Sequence, residues 1–170
     1  MPLISTARLY LREVAPTDAG FLLGLLNEPG WLENIGDRGV RDIEGALNYI
    51  EQVPLASYRA HGFGLYLVCL QDATPIGLCG LIQRDYLDCP DLGYALSSPY
   101  WGKGYGEEAA LAVLALAGQK GIATVKAITS QHNVASAKLL EKIGFSEVSP
   151  VTPPGSDSPL RCFCRAQATA

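Results

Sequence analysis

The sequence predicts a single α/β domain of the α+β kind: a mixed, mostly antiparallel central sheet of about six or seven strands flanked by about four helices. Two observations carry this. Period-2 and period-3.6 hydrophobic patterns interleave in the order β-α-α-β-β-β-α-β-α-β-β, with no internal repeat and no linker long enough to divide residues 1–170 into two units. The 170 residues are also 48% hydrophobic and only 18% charged, which supplies apolar surface for one core and lies far from the composition of a disordered chain.

Each element has its own signal. Ala7 to Val14 alternates Leu9 and Leu11 with Arg8, Tyr10 and Arg12, the pattern of a half-buried strand. Thr17 or Asp18 then caps a helix with Phe21, Leu22, Leu25 and Leu26 on one face, which the Pro29-Gly30 pair is expected to stop. A loop carrying Trp31 and the turn Gly36-Asp37-Arg38-Gly39 leads to Asp42, the N-cap of a helix that presents Ile43, Ala46, Leu47 and Ile50. Gly62 to Leu70 and Ile76 to Arg84 read as a hairpin around Asp72-Ala73-Thr74-Pro75.

After the turn Asp88-Cys89-Pro90 comes a short strand, Leu92 to Leu96, in which Gly93 suggests a bulge. A loop from Ser97 to Gly106 feeds a helix from Glu107 to about Gln119, with acids in its first turn and Lys120-Gly121 at its end. Val125 to Ser130 reads as a strand, Asn133 to Ile143 as a helix closed by Gly144, and Phe145 to Val148 and Leu160 to Arg165 as the last strands.

Composition excludes several classes of function. The longest apolar run, Ala109 to Ala117, falls far short of the roughly 20 residues of a membrane span. Met1 to Arg8 lacks the basic-then-apolar pattern of a secretory signal, so the expected location is the cytoplasm. The five cysteines (69, 79, 89, 162, 164) are odd in number and contain no C-x-x-C, and only His61 and His132 supply imidazole. Neither a disulfide framework nor a metal site is expected. Thirteen basic against seventeen acidic residues give a net charge of −4, the wrong sign for direct nucleic-acid binding but favourable for attracting a cationic amine.

The most informative stretch is Tyr100-Trp101-Gly102-Lys103-Gly104-Tyr105-Gly106-Glu107-Glu108, three alternating glycines delivered from a strand into a helix N-terminus. Main-chain N–H groups there have no helical partner and can converge on an anion, and glycine lets phosphate oxygens approach the backbone. A P-loop is excluded because Gly102-Lys103 is followed by Gly104. Gly104 to Ala109 matches the dinucleotide pattern G-x-G-x-x-A, yet no Asp or Glu lies between Glu108 and Glu141 to hold a ribose. A purely structural strand-to-helix turn is the remaining alternative.

Downstream, Asn133-Val134-Ala135-Ser136 opens a helix that ends in Gly144-Phe145. Taken with Leu92-Gly93-Tyr94-Ala95-Leu96 and Trp101 to Gly106, this set resembles the GNAT superfamily of acetyl-CoA-dependent N-acetyltransferases. The nearest subgroup is the ribosomal-protein N-terminal (RimJ/RimL-type) enzymes, with their G-Y-x-L strand and W-G-K-G-Y loop. The motifs cover about Asp91 to Ser146. The resemblance implies a core over residues 62–149, an acceptor-side segment over 7–53, and a V-shaped cleft for acetyl-CoA beside the bulged strand 92–96.

The resemblance also implies roles. Main-chain groups from Gly102 through Lys103, Gly104, Tyr105 and Gly106 to Glu107 hold the pyrophosphate, with Trp101 where many relatives carry Gln or Arg, and Lys103 adds charge. Tyr94, Ala95 and Leu96 line the pantetheine arm, and the N–H of Ala95 or Leu96 polarises the thioester. Asn133 is an N-cap or a ligand of the CoA arm. Many relatives have a Tyr general acid seven residues later, where this chain has Leu140. Ser136, one turn earlier, is the candidate hydrogen-bond donor to the leaving thiolate. Asp91 is the candidate base or water-relay partner, or else a turn residue after Pro90.

Trp31 and Arg38 are candidate acceptor contacts. The expected partners are acetyl-CoA and a primary amine, either a protein N-terminus or a small molecule, with the chain a monomer or homodimer. The rival expectation is a CoA-binding regulatory module without turnover.

Overall fold

The computed structural model describes residues 3–167. Eight strands form one sheet in the order β1-β2-β3-β4-β5-β6-β8-β7: β1 Ile4–Ser5, β2 Leu9–Glu13, β3 Leu65–Leu70, β4 Pro75–Ile82, β5 Asp91–Leu96, β6 Thr124–Thr129, β7 Ser146–Val151 and β8 Leu160–Ala166. Every neighbouring pair is antiparallel except β5 and β6, which run parallel and meet only at Asp91 and Lys126. The expected architecture is present, with the two-residue β1 as an added edge strand.

Among the described residues six helices cover the sheet: α1 Ala19–Leu26, α2 Pro29–Asn34, α3 Ile43–Ile50, α4 Ala56–His61, α5 Tyr105–Gln119 and α6 Val134–Lys142. Two of them depart from expectation for identifiable reasons. Pro29 does not end a helix but begins α2, where its fixed φ suits the first turn and its missing N–H costs nothing. The helical path of α3 continues through a π turn at Glu51–Leu55, around buried Pro54, into α4, and stops at Gly62 with φ +75°. Asp18 stands before α1 but does not cap it; its carboxylate turns back to the Ala15 N–H and to Arg12.

Strand alternation sorts side chains into two cores. Leu9, Leu11, Tyr66, Val68 and Leu92 face α5 and α6, with Val113, Ala117, Leu140 and Phe163. Leu65, Leu67, Cys69 and Leu78 face the other way, toward Leu22, Leu25, Trp31, Ala46 and Ile50 of α1 to α3. β3 and β4 are buried on both faces, with helices against each side. Pro150 lies in β7, an edge strand, where a residue without an N–H does least harm to a ladder.

Candidate active site

The site begins at the parallel seam. Lys126 donates its N–H to the Pro90 carbonyl at 3.0 Å, and beyond that point β5 and β6 separate. No register shift interrupts the ladder between β4 and β5, so the irregularity expected at Gly93 lies on the β6 side of the strand, as loss of pairing rather than an inserted residue.

Parity then decides which groups of β5 are free. Ser97 donates to the Ile76 carbonyl at 2.8 Å, so odd-numbered residues of this strand turn their main-chain groups toward β4. A Cβ on Gly77 of β4 would stand 2.3 Å from the Ala95 carbonyl oxygen, which confirms that direction. Ala95 is therefore committed to the ladder, and the edge open to the cleft is that of Tyr94 and Leu96. Of the two oxyanion donors the sequence leaves open, only Leu96 faces the opening.

The cleft between the separated strands has a volume of about 1100 Å³ and reaches from the glycine loop to the α2–α3 wall. At the loop, Gly102 and Gly104 have φ +71° and +82°, values that L side chains rarely adopt, and Gly104 is the N-cap of α5. The helix thus starts at Tyr105, two residues before the position expected. Gly106 lies inside the first turn, where a Cβ would meet only ordinary contacts from Leu139 and Leu96.

Both acids of that first turn are neutralised. Glu107 pairs with Lys142 at 2.9 Å and Glu108 with Arg8 at 2.8 Å, while Lys103 is exposed. Burial works against ionisation of Glu108, but hydrogen bonds from Thr6 and Arg8 hold its carboxyl below the usual range. The N-terminus of α5 therefore keeps its positive end for an anion. Arg8 also reaches the Lys103 carbonyl at 2.9 Å and lies 4.4 Å above the Tyr105 ring. Nothing in the local pattern around Arg8 signals this role, because its partners are about a hundred residues away.

Trp101 is 55% exposed, yet its indole N–H donates to the Leu96 carbonyl at 2.7 Å and its ring covers Gly30 at the start of α2. Beside it, Glu28 accepts from the Ser97 hydroxyl at 2.7 Å and the Ser98 N–H at 2.9 Å. At the other end of α2, Asn34 accepts from the Ser130 hydroxyl at 3.3 Å. So α2 bridges the loops that follow β5 and β6. Glu28, Asn34 and Ser130 were not singled out by the sequence, since their meeting depends on α2 existing at all.

The α6 side holds the candidate donor. Asn133 is the N-cap, its side-chain oxygen accepting from the Ser136 N–H at 3.2 Å. Ser136 Oγ lies 2.7 Å from the Tyr94 hydroxyl. Burial pushes the Tyr94 phenol up to about 12, against the Ser136 hydrogen bond that lowers it. Leu140 is fully buried in the core.

At the closed end, Asp91 is 1% exposed and accepts from Arg84 Nε at 2.9 Å. Burial raises its carboxyl above the ordinary value, and Arg84 opposes this without cancelling it. Asp91 is the first residue of β5 and not a turn residue. Trp31 is buried in the α1–α3 core, and its Nε1 has no partner among the described residues; Arg38 is exposed at the rim. None of the five cysteines lines the cleft, and Cys79 is buried with its thiol pushed well up. No described helix is long and apolar enough to cross a membrane.

Comparison with known proteins agrees with this geometry. A family profile for the acetyltransferase (GNAT) domain matches residues 8–146. The chain is 28% identical over 148 residues to the uncharacterized protein YkkB of Bacillus subtilis, covering 82% of this chain and 83% of that one. It is 24% identical over 149 residues to the uncharacterized N-acetyltransferase p20 of Bacillus licheniformis, covering 86% and 84%. An acetyltransferase structure from Agrobacterium tumefaciens superposes with a TM-score of 0.82 at 25% identity over 98% of this chain and 95% of the other. The ribosomal L7/L12 α-N-protein acetyltransferase RimL in complex with coenzyme A shares the fold, with a TM-score of 0.81 at 17% identity and 98% coverage of both chains. With a family match over most of its length and the fold to go with it, this chain belongs to the GNAT acetyltransferase family.

Proposed function

We propose that the protein is an N-acetyltransferase that moves the acetyl group of acetyl-CoA to a primary amine, by direct attack within a ternary complex. The observation that carries this reading is the opened β5–β6 seam, which puts the main-chain edge of Tyr94 and the Leu96 N–H, unpaired by any neighbouring strand, next to a glycine loop at the N-terminus of α5. An extended pantetheine arm can pair with that edge as an added strand while the pyrophosphate meets the loop N–H groups from Gly102 to Glu107.

In this reading the Leu96 N–H polarises the thioester carbonyl. The amine nitrogen forms the C–N bond, the C–S bond breaks, and its electron pair leaves on sulfur, where Ser136 donates a hydrogen bond. Asp91 lies five residues along β5 from Leu96, about 16 Å at ~3.3 Å per residue, so the amine proton passes to it through water. The acceptor is an N-terminal α-amine of a protein or a small-molecule amine, held against the α2–α3 wall where Trp31 and Arg38 lie. Among structural neighbours, RimL is described as acting on a ribosomal protein α-amine and a chimera containing SpeG as a spermidine acetyltransferase, and both choices belong to the proposal's range.

The test is release of CoA thiol with a panel of N-terminal peptides, Lys peptides, polyamines and amino-acid analogues. Turnover with any member supports the proposal. Tight acetyl-CoA binding without turnover across the panel favours a CoA-binding regulatory module, the reading that Leu140 in place of a tyrosine supports.

A further inference from the structure

Ser136 has one hydroxyl hydrogen, and where it points is decided by its neighbour. Tyr94 is half-buried against the core, and its hydroxyl hydrogen has protein acceptors close by. Two are in reach, Ser136 Oγ at 2.7 Å and the Ser136 carbonyl at 3.4 Å, and the second is too long to compete. Either oxygen could donate across the 2.7 Å contact, and the phenol, the more acidic of the two hydroxyls, takes the donor role toward Ser136 Oγ. No other described group accepts from Ser136 Oγ, so its own hydrogen stays free while the residue lines the cleft.

We infer that Tyr94 is a positioning residue for acetyl transfer, fixing the Ser136 hydroxyl as a hydrogen-bond donor to the departing CoA sulfur. This rests on the acetyltransferase reading above and adds to it. A phenol is absent from α6 at Leu140, and β5 supplies one from the opposite wall. An O–H that accepts one hydrogen bond donates the next more strongly, so the pair acts as a two-member chain aimed at sulfur.

No proton leaves Tyr94. The C–S electron pair departs as thiolate, Ser136 holds it by a hydrogen bond, and the thiolate takes its proton from solvent after release. Because the phenol stays neutral across the working range, the device needs no ionisation and imposes no pH limb of its own.

The test reads the sulfur directly. CoA bound to the wild-type protein is titrated by the ultraviolet absorbance of its thiolate, and the same titration is run on Tyr94→Phe, Ser136→Ala and the double variant. A donor to the thiolate lowers the thiol pKa, so each single variant should raise the bound value by about one unit, and the double variant should go no further.

In turnover, the single variants should each lose about tenfold in kcat with KM for acetyl-CoA within twofold, again without addition in the pair. Identical titration in wild type and both single variants overturns the inference, as do independent, multiplying effects. Should Tyr94→Phe fail to bind CoA while Ser136→Ala binds and titrates as wild type, Tyr94 is a packing residue and the inference also falls. The bound-thiol titration needs no amine acceptor. A protein that acetylates nothing in the panel yet shows the shift refutes the proposed activity and not this inference.

Discussion

Trp101 folds back over its own loop and places its indole N–H 2.7 Å from the carbonyl of Leu96, the residue whose N–H faces the cleft. The same ring lies where a side chain on Gly30 would be, with a Cβ there 2.8 Å and 2.9 Å from ring carbons. One side chain thus joins the glycine loop, the free strand edge and the acceptor-side helix.

Trp101→Ala and Gly30→Leu should therefore share a phenotype, since one removes the ring and the other expels it. Steady-state kinetics should show KM for acetyl-CoA raised about tenfold in both, an amount equal to about 1.4 kcal/mol. Normal acetyl-CoA kinetics in Gly30→Leu would mean that the contact is packing alone.

Gly104→Val should abolish acetyl-CoA binding measured by calorimetry. The position combines φ +82° with Arg8 Nη2 only 3.2 Å from a Cβ, so the branched side chain strains the turn and crowds the cation that braces it. Unchanged affinity would refute the phosphate-loop assignment.

Asp91 should shape the acidic limb of the pH–rate profile. Its carboxyl is raised by burial, so ionised Asp91 is lost, as pH falls, at a point above the ~3.9 of a free aspartate. Removing the opposing cation with Arg84→Met should move the limb of kcat/KM to higher pH. Asp91→Asn should lose the limb along with about a hundredfold in rate. An Asp91→Asn enzyme that keeps both would exclude Asp91 from proton transfer.

The Arg12–Asp18 pair should appear in acid stability. Burial raises the Asp18 carboxyl, but the Arg12 hydrogen bond and the Ala15 N–H outweigh it and leave a net lowering. A depressed folded-state value means that the pair stabilises fully above the unfolded value near ~3.9 and loses its effect as pH falls through the folded one. Asp18→Asn should lower Tm by roughly 4–8 °C at pH 7, for about 2 kcal/mol, and the gap to wild type should shrink toward pH 3.

No acyl-enzyme should accumulate. Incubation with acetyl-labelled acetyl-CoA, followed by removal of CoA, should leave no labelled cysteine by mass spectrometry, because no cysteine borders the cleft. A chemically competent acetyl-cysteine would overturn direct transfer.

What the sequence disclosed was local or periodic. The alternation of Leu9 and Leu11, the glycines at 102 and 104 and the Asn133 cap each satisfy a constraint within a few residues, and each stands where expected. Pro29 misled because proline both ends helices and begins them, and the choice depends on whether following residues find a core to bury, as Trp31 does.

The strand irregularity at Gly93 was expected as a bulge, whereas it comes from the divergence of β6, about thirty residues later in the chain. Arg8 on Glu108, Glu28 on Ser97 and Tyr94 on Ser136 were invisible for the same reason. Their spacing along the chain is set by topology, and no short-range pattern records it.

The single pair at Asp91 and Lys126 has a consequence for the whole molecule. Strands β1 to β5 and β6 to β8 are two separate ladders laced together at one rung, so the line that admits a ligand is also the line along which the sheet is weakest. A thioester arm lying there would supply the missing rungs. Stability against unfolding would then rise with the logarithm of free acetyl-CoA, so the ligand that enters the seam would also be the one that closes it.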